Sequence, residues 1–137
     1  MKTILTTAFV AVAIGSVAQA NDEPGRLPEV PVVIQEVSED NDGDACGANG
    51  VIEGLDPSGD GFLAVRSGPS SKFREIDRLY NGEEVYLCTQ KGRWIGIVYS
   101  KRANQCNVST GWRATVPYTG PCKSGWVHAN WVRAFAG

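Results

Sequence analysis

The sequence predicts a small all-β domain made for export, and three observations carry that reading. After residue 45, short apolar runs alternate with turn-forming residues at close spacing, the pattern of a small barrel or sandwich. No stretch in that region sustains a helical period. Four cysteines follow a leader-like N-terminus, so the domain belongs in an oxidising compartment.

Residues 1–20 have the form of a secretory signal. Met1-Lys2 supplies the positive start, Ile4 to Ile14 is largely apolar, and Ala18-Gln19-Ala20 offers the small-x-small pattern of a cleavage site. The apolar stretch is too short for a membrane span, which needs roughly 20 residues. Cleavage is expected after Ala20, and no cysteine there would accept a lipid. The expected location is the periplasm or outside the cell.

Residues 21–44 read as a disordered acidic tail. Pro24, Pro28 and Pro31 interrupt any helix, and Glu39 to Asp44 is a run of acids and turn formers. The run Val30-Pro31-Val32-Val33-Ile34 is the exception. It has the composition of an edge strand added to the domain or to a partner. Charge divides sharply along the chain. Residues 21–60 hold eleven acids against one base, and residues 61–137 hold four acids against eleven bases. A tail lying over a basic face, and competing with an anionic ligand, is one reading of that division. A solubilising linker is the plainer one.

The domain proper is expected over residues 45–137. Val51-Ile52 is a first strand and Phe62 to Arg66 a second. Ile76 to Tyr80 follows, closed by the turn signal Asn81-Gly82. Glu84 to Cys88 alternates with period two, Lys91-Gly92 turns the chain, and Trp94 to Tyr99 is the next strand. A long irregular segment fills residues 100–121. Trp126-Val127 and Trp131-Val132 are two short closing strands, with both tryptophans expected in the core.

Several of these residues resemble the bacterial SH3 (SH3b) family. Leu63-Ala64-Val65-Arg66-Ser67-Gly68-Pro69-Ser70 is similar to its L-N-V-R-S-G-P signature, with Ala64 in place of the usual asparagine. Leu79-x-x-Gly82-x-x-Val85 resembles its strand–turn–strand step, Gly92-Arg93-Trp94 its G-x-W, and Ser124-Gly125-Trp126-Val127 its G-W-V. The resemblance spans about residues 46–134. It implies a small SH3-like barrel that binds cell-wall peptides or short protein segments. The segment from Ser100 to Lys123 departs from it by its length. Cys106 and Cys122 fall inside that segment and are expected to close it, which leaves Cys46 to join Cys88. Four cysteines allow three connectivities, and spacing alone leaves them open. The spacing does not suit zinc, since no two cysteines lie as close as C-x-x-C.

Catalysis finds little to work with. His128 is the only histidine and has no recognisable partner, so a surface or capping role is expected. Glu83 and Glu84 would point to opposite faces of a strand. The acidic run from Asp40 fails the calcium-loop pattern, with Ala45 and Val51 where glycine and glutamate are required. No cofactor is expected. The aromatic residues are the better lead. Tyr80, Trp94, Trp112, Arg113 and Tyr118 are the candidate ligand-binding set, with Trp112 and Tyr118 in the long segment where a side chain has less reason to be core. The expected function is a non-enzymatic module for a peptide or a peptidoglycan-type ligand. The alternative is an inhibitor or immunity-type factor acting on a periplasmic protein through residues 100–123. Nucleic acid is not an expected partner of an exported chain, and a monomer is favoured.

Overall fold

A computed structural model describes residues 7–13, 15, 26–37, 43–101 and 105–136 of the chain. The cleavage segment at Ala18 to Ala20 and the acidic residues 38–42 lie outside the described residues. The architecture is all-β. Strands run β1 (Val33–Ile34), β2 (Ala48–Ile52), β3 (Leu63–Arg66), β4 (Glu75–Leu79), β5 (Glu84–Lys91), β6 (Trp94–Tyr99), β7 (Val116–Pro117), β8 (Lys123–His128) and β9 (Val132–Ala136). A single 3-10 turn, Ala129–Trp131, separates β8 from β9.

Seven strands form one sheet in the order β4-β3-β8-β6-β5-β2-β9, and every pairing is antiparallel. Among the described residues no ladder joins β4 to β9, so the hydrogen bonds draw an open sheet with two edges rather than a closed barrel. Side chains from β2, β3, β4, β5, β6 and β8 nevertheless meet in one core of Ile52, Leu63, Val65, Leu79, Val85, Ile97, Tyr99 and Val127. A flat sheet would keep its outer strands apart, so the sheet curls over this face.

The opposite face carries a second core. β6 explains why. A half-solvated strand alternates apolar and polar residues, but Trp94-Ile95-Gly96-Ile97-Val98-Tyr99 has no polar alternation. Ile97 and Tyr99 enter the first core, and Val98 enters the second. β8 divides the same way, with Val127 on one side and Trp126 on the other. β5 places Val85 inward and Cys88 outward.

What covers the outer face is the run at residues 30–34, the stretch of the expected tail whose composition was that of an added edge strand, and it does lie on the domain as one. Val32 and Ile34 are fully buried there, beside Ala45, Cys46, Val98, Cys106, Val108 and Trp126. Burying two such side chains contributes about 1.5–3 kcal/mol each. β1 pairs with β7 from the long segment, Val33 opposite Pro117 and Ile34 opposite Val116. Composition offered the strand but not its partner, because pairing with β7 depends on a surface assembled elsewhere in the chain.

The disulfides are Cys46–Cys88 and Cys106–Cys122. The first ties the chain just before β2 to β5, and the second closes the segment that carries β7. Trp126 is buried as expected. Trp131 is not: it lies in the 3-10 turn with 39% of its surface exposed. The turn breaks the strand there, so β9 starts one residue later. No helix among the described residues is long and apolar enough to cross a membrane.

Candidate binding surface

Tyr80 follows β4 and opens a tight turn. Its amide donates to Glu83 Oε2 at 2.7 Å, and the Glu83 amide donates back to the Tyr80 carbonyl at 3.1 Å. Both backbone groups at the turn are thereby satisfied, and the ring is left 49% exposed. Lys101 stands over it, Nζ 5.8 Å from the ring centroid. That ammonium is itself held in place, donating to the Arg78 carbonyl at 2.8 Å and lying 3.7 Å from Asp77 Oδ1.

Asp77 is the hub of this corner. It accepts from the Tyr99 hydroxyl at 2.7 Å and from the Arg78 amide at 2.8 Å, and Lys123 Nζ lies 3.5 Å away. Partial burial pushes the Asp77 carboxyl upward. The Tyr99 hydroxyl, the Arg78 amide and the charges of Lys101 and Lys123 outweigh that and hold it below the usual carboxylate range. Burial, then the hydrogen bond to Asp77 and that residue's charge, push the Tyr99 phenol well above its ordinary value. The pair therefore stays as phenol and carboxylate across physiological pH, a fixed strut beneath the surface.

Three adjoining depressions cross this end of the molecule. One of about 450 Å³ lies among Ile76, Asp77, Tyr80 and Lys101. The next, about 310 Å³, shares Lys101 with it and adds Glu83, Glu84, Tyr99 and Ser100. The third, about 290 Å³, shares Glu84, Tyr99 and Ser100 and reaches Asn49, Tyr86 and Phe135. Each shares wall residues with the next, and together they outline one candidate groove. It has an exposed aromatic ring at each end, since Phe135 on the edge strand β9 is 46% exposed. Its middle is polar and of both charges.

Of the sequence candidates, only Tyr80 lines this groove. Trp112 and Tyr118 are stacked on one another, centroids 5.7 Å apart, and fasten the disulfide-closed segment from within. The Trp112 indole donates to the Asn107 carbonyl at 2.7 Å. The Tyr118 hydroxyl donates to the Cys106 carbonyl at 2.6 Å and accepts from the Cys122 amide at 3.2 Å. Both rings also pack on the outer core. Arg113 is exposed beside them. Trp94 is half-buried and meets His128 edge-on at 5.4 Å. His128 caps the 3-10 turn, its Nδ1 accepting from the Asn130 amide at 3.2 Å. The candidate set is thus not one site. Sequence reasoning missed Lys101, Asp77, Ile76 and Phe135. The Asn81-Gly82 turn beside Tyr80 was the available signal for one end of the groove, and nothing in the sequence marked β9 as its other end.

No group of three or more His, Cys, Asp or Glu among the described residues is placed to hold a metal ion. No family model, no curated protein and no solved structure matches this chain.

Proposed function

We propose that the chain is an exported, non-enzymatic binding module of the SH3-like type that holds a peptide, free or as part of peptidoglycan, in the groove between Tyr80 and Phe135. The observation that carries the reading is the groove itself: exposed rings at both ends, a fixed ammonium over one of them, and a rigid Asp77–Tyr99 strut behind. Exposed aromatic rings give an extended peptide apolar contact at low entropic cost, and fixed polar groups between them orient it.

Placement of the family-like motifs supports the SH3-like part. Leu63 to Arg66 is β3, the Leu79 to Val85 step is the β4–β5 turn, Trp94 opens β6, and Gly125-Trp126-Val127 lies in β8. Two disulfides fit an oxidising compartment outside the cytoplasm. The inhibitor-type alternative loses support, because Trp112 and Tyr118 are spent on holding the 106–122 segment together.

The test is retention on purified peptidoglycan, compared with capture of a protein from periplasmic extract, for the wild-type chain and Tyr80→Ala. Retention on the wall polymer that falls with Tyr80→Ala supports the reading. Equal retention of the two proteins, or one tight protein partner insensitive to Tyr80, overturns it.

A further inference from the structure

We propose that the surface beneath Val30–Val37 is a second peptide groove, one that takes an extended strand with apolar side chains at alternate positions, and that the chain's own N-terminal strap is the ligand seen in it. The core under this strap contains none of Ile76, Asp77, Tyr80, Lys101 or Phe135, and the proposal does not depend on the reading given to the groove among them.

The first support is the mode of contact. The strap is held by its backbone. Val30 N–H donates to the Ser67 carbonyl and the Trp126 indole donates to the Val30 carbonyl, both at 2.8 Å. Tyr118 N–H donates to the Val32 carbonyl at 2.8 Å, and Val37 N–H to the Trp112 carbonyl at 2.9 Å. Between them lies the β1–β7 ladder. Backbone bonds of this kind accept any sequence, and pockets for alternate side chains then choose among sequences. Here the pockets hold Val32 and Ile34, while Val33 between them is less buried.

The second support is shape. A Cβ at Gly96 would lie 3.0 Å from Val32 Cγ1, as well as 2.5 Å from Thr89 Cγ2. A Cβ at Gly111 would lie 2.8 Å from the Cβ of Val37. The body is bare of side chain at two points where the strap passes closest.

The third support is independence. The strap precedes all four cysteines, so both disulfides close without it. All seven strands of the large sheet pair without it, and its own ladder is two residues long. Its departure would break no pairing in that sheet. It would uncover an apolar floor that includes Val98 and Trp126, and such a floor favours replacement by another strand over standing empty. A tethered strap competes at an effective concentration of the order of mM, so an outside strand gains access mainly when the strap is weakened.

The experiment uses a fluorescein-labelled peptide of residues 26–37 and the full chain, read by fluorescence anisotropy. The double variant Val32→Ser, Ile34→Ser should bind the peptide at least about tenfold more tightly than the wild-type chain does. A peptide with serine at the same two positions should not bind, and adding Tyr80→Ala should change nothing. A variant that keeps both disulfides and its β circular dichroism, yet binds no peptide, overturns the proposal. Hydrogen exchange on the wild-type chain decides the matter if the variant does not fold. The amides of Val30, Val37 and Tyr118 should exchange at least about 100-fold faster than those of β6, through a local opening. One common rate would mean that the strap leaves only on global unfolding, and would also overturn the proposal.

Discussion

The two faces of the seven-stranded sheet are both buried, but by different means. The inner face buries itself: the sheet curls, and Ile97, Tyr99 and Val127 from its central strands meet Ile52 and Leu79 from strands nearer its edges. The outer face does not close on itself. It is covered by the strap around Val32 and Ile34 and by the segment closed by Cys106–Cys122, each lying against the other through β1 and β7. A face that closes on itself forms with the sheet. A face that borrows its cover depends on a two-residue ladder, a few hydrogen bonds beside it and the segment closed by Cys106–Cys122, and is expected to open before the sheet does.

Substitutions should therefore sort by face. Ile97→Ala opens a cavity where six strands converge and should cost about 3–4 kcal/mol, read as a fall in the urea midpoint shared by every probe. If only part of the signal shifts, the inner core is not one unit. Replacing Cys106 and Cys122 with serine frees a loop of 16 residues' separation and should cost about 3 kcal/mol at most. That loss should appear as a separate, earlier transition of Trp112 fluorescence, with β circular dichroism retained. A single transition would make the two faces equivalent.

Much of the inner face was legible in the sequence. Period-two patterning at Glu84 to Cys88 and the Asn81-Gly82 turn located β4 and β5, because a strand with one apolar side prints its direction in the order of its residues. The outer face was not legible from the same signal. Trp94 to Tyr99 has no polar alternation, which says that both sides are covered but not by what. The cover came from residues whose prolines and acids resemble a linker, and whose order depends on a surface assembled elsewhere in the chain. The packing of the binding candidates was hidden for a related reason. Trp112 and Tyr118 lie in an irregular segment and so suggested contact with a ligand, but that segment needed them for its own packing. Tyr80 stays exposed because a closed turn at Glu83 leaves its ring outside.

Smaller effects sharpen the contrast at the groove, where the inner core reaches the surface. Tyr99→Phe removes the hydroxyl bond to Asp77 and should cost about 1 kcal/mol at neutral pH. Tyr99 has a raised pKa in the folded chain. Its contribution is complete below the ordinary tyrosine value, about 10, and is lost as pH rises above it. Asp77 has a lowered one. Its contribution is complete above the ordinary carboxylate value, about 3.9, and is lost as pH falls below it. Urea midpoints measured from pH 2 to 11 should show both losses in the wild-type chain and a flatter alkaline limb in Tyr99→Phe. Tyr80→Ala should change stability by less than about 0.5 kcal/mol, since the ring is half exposed, while weakening retention on ligand.

The central claim is that the segment around Val32 is a fitted cover and not a tail. The indole N–H of Trp126 tests it most directly, because it donates to the Val30 carbonyl at 2.8 Å, across 96 positions of sequence. In solution NMR of the full chain that proton should be protected from exchange, and the Trp126 ring should show nuclear Overhauser contacts to residues of the strap. A freely exchanging indole N–H, with Val30 to Ile34 at random-coil shifts, would contradict the account.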